Sequence, residues 1–366
     1  MTLLGTLDCF WRVWKAHVSM LERPDISDER IAACLNHAYG LSVVRAAFLR
    51  LGADRDSAAF RIQADGEQAY FLKLRRGAFD EISVVLPKFL SEKGIAEVMT
   101  PLATRTGRLW TSLDGFRLIL YPFVEGHNGY QVDLSNRHWL NLGTALKGIH
   151  TAKVPPALIG RIRHETWSPQ WCRTVERFLE RVEYDVFDDP VAAELAAFMN
   201  SRRDEVLNLV ERAEWLARAL QTQSHEIVLC HSDVHAGNVL IDANDALYIV
   251  DWDNPILAPK ERDLMFVGGG QMGAGRTPQQ EETLFYRGYG QTQIDPIALA
   301  YYRYERIIED IAVFCERVFA GEGGEDREQC LRYLASNFLP NGALEIAYKS
   351  DSAPRELSCV RREEDH

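Results

Sequence analysis

Apolar and polar positions change their period several times along the chain, and each change predicts an element. From Asp25, "DISDERIAACLNHAYG" places apolar side chains at helical spacing between acidic residues in the first turn and a closing Gly40, which predicts a helix. "VVRAAFLRL", "AAFRIQA" and "AYFLKLRR" then alternate or run apolar, so three strands are expected, the last two joined through "DGEQ" as a hairpin. "DEISVVLPKFLSEKG" returns to helical spacing and stops at Gly94, with Pro87 expected to kink that helix or set its start. "TRTGRLWTSLDGFRLILYPFVEG" reads as a second hairpin that ends in a buried strand.

Beyond Glu125 the pattern becomes mainly helical, through "NRHWLNLGTALKGIHTA" and "VAAELAAFMNSRRDEVLNLVERAEWLARAL". Three short strands follow, "EIVLC", "VLID" and "LYIVDW", and then helices to about Tyr348. The tail "KSDSAPRELSCVRREEDH" is polar and is expected to fray. This order predicts an α+β protein of two lobes, since 366 residues exceed what one core usually serves. The expected units are an N-terminal extension over 1–24, a small β-rich lobe over 25–124, a large mainly helical lobe over 125–350 and a tail over 351–366. A hinge is expected between Tyr121 and Gly129, where Pro122, Gly126 and Gly129 cluster.

Composition narrows the classes of function. The chain is 46% apolar and 26% charged, and no apolar run reaches the length of a bilayer span, so no membrane partner is expected. A net charge of −12 argues against a nucleic-acid partner, because a phosphate backbone requires a cationic face. Seven cysteines are scattered without a CxxC pair, which favours a reducing, cytoplasmic location. The first twenty residues lack the basic start and the cleavage site of a secretory signal. Three readings stay open for them: an added amphipathic helix, a partner-binding helix, or sequence upstream of a start at Met20.

The densest chemistry lies in "HSDVHAGNVLIDANDALYIVDWD", residues 231–253. His231 and His235 have an H-x3-H spacing that would suit zinc on a helix, but Ser, Asp, Gly and Asn make this segment a poor helix. Phosphoryl transfer fits more of the residues. Asp233 precedes Asn238 by the D-x-x-x-x-N interval of kinase catalytic loops, in which the acid orients the attacking hydroxyl and the amide oxygen holds Mg²⁺. The hairpin "NVLID", "ANDA", "LYIVDWD" then returns Asp251 to the same edge as a second metal ligand. Turn capping accounts for Asp242, Asn244 and Asp245, yet it leaves Asp251 as an unpaired charge behind an apolar strand unless a cation or donor meets it.

A nucleotide-binding set is expected in the small lobe. Lys73 stands in mid-strand between Leu72 and Leu74, where an ammonium needs an anion such as a phosphate, and Glu81 at the start of the next helix is its expected partner. An edge lysine that discourages aggregation is the other reading. The stretch "RLGADRDSAAFRI" lies where a phosphate-covering loop belongs, but it has only Gly52, so Ser57 and nearby backbone amides would have to take the place of a glycine-rich motif. A Walker A loop is approached from Gly270 to Thr277, with Arg276 where that motif requires lysine and no βαβ unit around it.

In this order Lys73, Glu81, "LILYPFVEG", "HSDVHAGN" and "VDWD" resemble the aminoglycoside phosphotransferase family, over roughly Ile26 to Tyr348. "APKERDLMFVGGG" and "YYRYERIIEDIAV" narrow the likeness to members that phosphorylate a ring hydroxyl of the aminocyclitol spectinomycin. The resemblance implies a bilobal protein-kinase-like fold and ATP with its adenine against the backbone of Tyr121, Phe123 and Val124. It further implies Lys73 at the phosphates, Asp233 as catalytic acid/base, and Asn238 and Asp251 holding Mg²⁺. Ser232 departs from the Gly or Arg of many relatives, and the glycine-poor loop leaves ATP against GTP open.

A cationic small-molecule acceptor is expected near "YYRYERIIEDIAVF". Ile307, Ile308, Ile311 and Phe314 share a helical face, while Glu305 and Glu309 are like-charged i,i+4 neighbours that Arg303 and Arg306, or a cationic ligand, would relieve. Asp263 is expected to join them, and a solvated helix face is the other reading. The function expected is phosphorylation of an aminocyclitol antibiotic. A same-fold kinase of a metabolite such as choline, homoserine or methylthioribose, and a non-catalytic nucleotide-binding module, are the alternatives.

Overall fold

The computed structural model describes residues 23–50, 56–273, 275–321 and 324–352. The expectations for the first twenty residues, for Gly52 and for the end of the tail lie outside them. Helix α1 (Asp28–Tyr39) starts where the Ser27 hydroxyl accepts a hydrogen bond from Arg30 N and ends at Gly40, whose φ of 78° provides the left-handed cap. Strands β1 (Val43–Leu49), β2 (Ser57–Ala64) and β3 (Ala69–Arg75) follow, then helix α2 (Ile82–Glu92) and strands β4 (Thr111–Leu113) and β5 (Phe116–Pro122). The five strands form one antiparallel sheet in the order β1-β2-β3-β5-β4. Asp114 and Gly115, at φ 53° and 81°, make the two-residue turn between β4 and β5, the conformation that matches strand twist.

Leu72 and Leu74 are fully buried with Phe60, Ile62, Leu118 and Leu120 against Ile31 and Leu35 of α1. Period-two alternation therefore puts Lys73, opposite Ala59 and Ile119, on the other face of the sheet. Helix α2 contains Pro87 internally and starts five residues before it. Its buried Ile82, Leu86 and Leu90 belong to the larger core and not to the sheet cluster.

The chain leaves the first sheet at Pro122, and β6 (Gly126–Asn128) pairs instead with the second lobe. A side chain at Gly126 would stand 2.0 Å from the Ile241 carbonyl oxygen, so only glycine lets these strands approach. The larger lobe contains α3 (Asn136–His150), a single turn α4 (Pro156–Ile159), β7 (Arg163–His164), α5 (Gln170–Tyr184), α6 (Pro190–Ser201) and α7 (Arg203–Gln221). Strands β8 (Val228–Cys230), β9 (Val239–Asp242), β10 (Leu247–Ile249) and β11 (Ile256–Ala258) precede the turn α8 (Glu261–Leu264). Helices α9 (Pro278–Tyr289), α10 (Pro296–Phe319), α11 (Gly324–Ser336) and α12 (Ala343–Ser350) complete it.

Among them α10 is central: its Ile307, Ile308, Ile311 and Cys315 are buried, and it touches α5, α6, α7, α8, α11 and α12. The start of the tail is anchored, contrary to expectation. Arg212 Nε and Nη2 donate to the two oxygens of Asp351 at 2.8 and 2.9 Å, and the Tyr304 hydroxyl adds a bond of 3.0 Å. No helix among the described residues is long and apolar enough to cross a membrane.

Candidate active site

Residues 231–238 run between β8 and β9 as a loop whose backbone is fixed from below. Asp263, fully buried, accepts from His231 N at 2.9 Å and Ser232 N at 2.7 Å, and His150 Nε2 lies 3.0 Å from the same carboxylate. Asp263 is therefore not an acceptor-binding acid. It is sealed away from any ligand, and burial, which alone would raise its carboxyl, is outweighed by these partners so that it stays below the usual carboxylate range. Ser232 sits at φ 73°, a left-handed conformation that explains why glycine suits this position, and its hydroxyl donates to Asn254 O at 2.7 Å.

The histidines of the H-x3-H spacing are committed to the loop itself. His231 Nδ1 accepts from Asp233 N at 3.2 Å and its Nε2 lies 3.0 Å from Val250 O, while His235 Nδ1 accepts from Gly237 N at 3.0 Å. Burial lowers the His235 ring below its ordinary value, even against the pull of Asp233. The loop's outer side rests on the glycine-rich segment, where Ala236 N donates to Gln271 O at 3.1 Å. Arg276, the residue out of place in a Walker A loop, bonds Leu134 O and Asn136 Oδ1.

Asp233 and Asn238 come together. Asn238 Nδ2 donates to Asp233 O at 2.8 Å and approaches Asp233 Oδ2 at 3.3 Å, which turns the amide oxygen the other way. The hairpin β9–β10 is closed by Asp242 Oδ1, which accepts from Asn244 N and Ala246 N, so this acid is a turn cap. Val250 N donates to Asn238 O at 3.0 Å, which registers the end of the hairpin against the loop. Asp251 follows at φ 65°, and its side chain meets Lys73.

Lys73 Nζ lies 2.8 Å from Asp251 Oδ1 and 2.7 Å from Asp253 Oδ2, and Arg75 Nη1 lies 2.5 Å from the same Asp253 oxygen. Burial alone would lower the lysine, but Asp251 and Asp253 outweigh it and hold the ammonium above its ordinary range. The same contact outweighs burial at Asp251 and keeps its carboxyl low. Asp253 was not expected here. The signal was the i,i+2 spacing of Lys73 and Arg75, which gives one strand face two cations.

Glu81 does not pair with Lys73. Its carboxylate accepts from Trp110 Nε1 at 3.0 Å and lies 3.5 Å from Arg161 Nη2. The reason is packing: Glu81 precedes α2, and that helix is held in the larger core by Ile82, Leu86 and Leu90. Ser57 opens β2 opposite Arg75. Tyr121 and Phe123 lie where β5 ends, with Phe123 N donating to Ala69 O at 3.3 Å and the Arg61 guanidinium over the Phe123 ring, followed by Val124. Burial raises the Tyr121 hydroxyl above its ordinary range despite the nearby Lys73.

On α10 the acids fall out differently from expectation. Glu305 is bonded to Arg262 and to the Tyr301 hydroxyl, so it is already satisfied, and burial leads in lifting its carboxyl to about 6. Arg303 turns inward to Met265 O and Val267 O, and Arg306 turns to Asp233 and Asp310. The half-buried Glu309 side chain makes no hydrogen bond or ion pair with another described residue, although its charge acts on the nearby Arg262 and Arg306.

A small twisted sheet carrying a lysine opposite a loop acid, an amide and a hairpin acid, all backed by a helical lobe, defines a kinase-like phosphotransferase. Residues 47–293 match the phosphotransferase enzyme family (APH), and the chain belongs to that family. It is similar to spectinomycin phosphotransferase APH(9)-Ia in complex with ADP and spectinomycin, with 36% identity, a TM-score of 0.84, and coverage of 90% of this chain and 99% of that one. The AMP-bound complex of that enzyme gives 36% identity and a TM-score of 0.80 over 88% and 98% of the two chains. The Plasmodium vivax ethanolamine kinase Pv091845, at 14% identity and a TM-score of 0.54 over 94% and 95%, shares the fold alone. Among curated protein sequences no relative matches.

Proposed function

We propose that the protein transfers the γ-phosphoryl group of a nucleoside triphosphate to a hydroxyl of a small cationic aminocyclitol, with spectinomycin as the acceptor. The observation that carries the reading is that strand-borne Lys73 meets hairpin-borne Asp251, while in the neighbouring loop Asn238 is bonded to Asp233. Similarity to a spectinomycin phosphotransferase over nearly its whole length supports the choice of acceptor.

Each residue has a role that its surroundings suit. Lys73 is the fixed cation for the nucleotide phosphates, and Tyr121, Phe123 and Val124 line the segment against which the adenine of ATP, or the base of GTP, would lie. Asp233 accepts the hydrogen bond of the acceptor hydroxyl and orients its oxygen for in-line attack. The hard oxygen donors Asn238 Oδ1 and Asp251 fit magnesium, because the Asn238 amide nitrogen is committed to Asp233 and Asp251 has a second carboxylate oxygen besides the one that Lys73 takes. Magnesium, when bound there, neutralises charge on the phosphate oxygens. Glu309 is the acid left for an ammonium group of the acceptor, since Arg262 satisfies Glu305 and Asp263 is sealed under the loop.

The test is a panel of aminocyclitols and of amine or hydroxy metabolites incubated with ATP and magnesium, read by the mass gain of one phosphate on the acceptor. Phosphorylation of spectinomycin is expected, and it should vanish in Asp233→Ala while nucleotide affinity stays near wild type. Product from a metabolite alone would retire the antibiotic acceptor. Nucleotide binding with no product from any compound would retire catalysis.

A further inference from the structure

Arg306 and Asp233 meet although 73 residues separate them. Arg306 Nη1 donates to Asp233 Oδ1 at 2.6 Å, and its Nε lies 3.2 Å from Asp310 Oδ1, so the guanidinium is bracketed between two carboxylates. The Phe266 ring supports it from one face, at 5.8 Å from the ring centroid. The two oxygens of Asp233 are thereby made unequal. Oδ1 takes a short charge-assisted bond from a guanidinium, whereas Oδ2 has the longer 3.3 Å approach of Asn238 Nδ2 and the 3.6 Å approach of His235 Nε2.

We propose that Arg306 is a positioning residue for phosphoryl transfer, clamping Oδ1 of Asp233 so that Oδ2 alone is presented to the acceptor hydroxyl. This rests on the reading of Asp233 as the group that receives that hydroxyl. The clamp also joins helix α10, which carries Glu309, to the catalytic loop, so one element sets both the acceptor's charge partner and the direction of the acid.

The groups that face Asp233 identify what the clamp does to its charge. Arg306 reaches it from α10 with Asp310 and Glu309 behind, His231 and His235 lie in its own loop, Asp251 lies at the end of the hairpin, and Tyr130 lies beside it after β6. Burial lowers His235 and raises Tyr130, so both are neutral at neutral pH. Arg306 is then the permanent cation in contact with the carboxylate, and it leads the partners that outweigh burial and hold Asp233 below the usual range. A carboxylate held ionised accepts a hydrogen bond well and a proton poorly, which suits a loose transition state in which the hydroxyl proton leaves late.

A plain strut between α10 and the loop would also place these groups together. The two roles are separated by steady-state kinetics with spectinomycin and ATP, and by urea unfolding, for wild type, Arg306→Gln and Arg306→Lys. Arg306→Gln is expected to lower kcat about 10²-fold and leave the nucleotide KM unmoved. Arg306→Lys keeps the charge without the planar fork, so it is expected to hold the urea midpoint near wild type and still lose kcat. Wild-type kcat in Arg306→Gln would overturn the proposal, and so would wild-type kcat in Arg306→Lys, which a strut needing only the charge would give. Retained turnover in Asp233→Ala would instead refute the role of Asp233.

Discussion

Lys73 Nζ stands 2.8 Å from Asp251 Oδ1, although the lysine belongs to a strand of the smaller lobe and the aspartate follows β10 in the larger one. Each is a costly residue in isolation, an ammonium in mid-strand and a carboxylate behind an apolar strand, and each supplies the charge that the other lacks. Asp253 shares the same ammonium and also takes Arg75, so the lobes are joined at the proposed phosphate site by two cations and two anions.

Because these groups form one network, their substitutions should not add. Lys73→Met is expected to lower kcat/KM roughly 10²-fold to 10³-fold and to raise the nucleotide KM. Asp251→Asn is expected to cost a similar factor through kcat. The double variant should be little worse than the poorer single one, because each change already breaks the shared contact. Steady-state kinetics on the four proteins measures this, and multiplicative losses would show that the lysine and the aspartate act separately.

How far the sequence carries the structure depends on whether the signal is local. Lys73 between Leu72 and Leu74 was legible because alternation decides which face of a strand a side chain occupies. Asp251 was legible because an acid after "LYIV" demands a partner. The Asp233–Asn238 spacing was legible because both lie in one loop. Arg306 was not, since nothing in "YYRYERIIED" says that one arginine reaches a loop far upstream while Arg303 turns to carbonyls. Glu81 misled because a residue before a helix start gives no direction, and packing of α2 into the larger core takes it to Trp110 and Arg161.

Glu281 should give the protein a measurable loss of stability with rising pH. Its side chain is buried, with Oε2 accepting from Gly268 N at 2.8 Å. Burial, more than the neighbouring Glu282, pushes its carboxyl up to about 8, against the Gly268 N–H and the more distant Arg303 and Arg276. A folded-state value above that of the unfolded chain means that its contribution is fully present below the unfolded value of about 4.3 and is lost as pH rises through about 8. The slope over that window is expected to be of the order of 1.4 kcal/mol per pH unit. Glu281→Gln keeps an acceptor for Gly268 N without the charge, so its melting temperature should fall less over the same range. Differential scanning fluorimetry across pH compares the two, and parallel curves would remove Glu281 as the source.

Asp263 provides a decision between loop anchor and acceptor ligand. An anchor that accepts from two backbone amides and a histidine holds the backbone from which Asp233 projects. In Asp263→Asn one oxygen becomes an amide NH2 group, so His231 N or Ser232 N faces a donor instead of an acceptor. An unsatisfied buried donor costs about 1–3 kcal/mol, which should appear as a lower urea midpoint at unchanged slope. The depressed carboxyl adds a pH signature of definite sign: its contribution is present above the unfolded value near 3.9 and is lost as pH falls through the lower folded value. Displacement of the loop should reduce kcat about 10²-fold, because a shift of roughly 1 Å in a reacting group has that effect. The acceptor KM should change little, since Asp263 is 0% exposed and cannot touch the acceptor. A variant of wild-type stability with only a raised acceptor KM would return Asp263 to the acceptor site and leave the loop to be held by Val250, Asn254 and the glycine-rich segment.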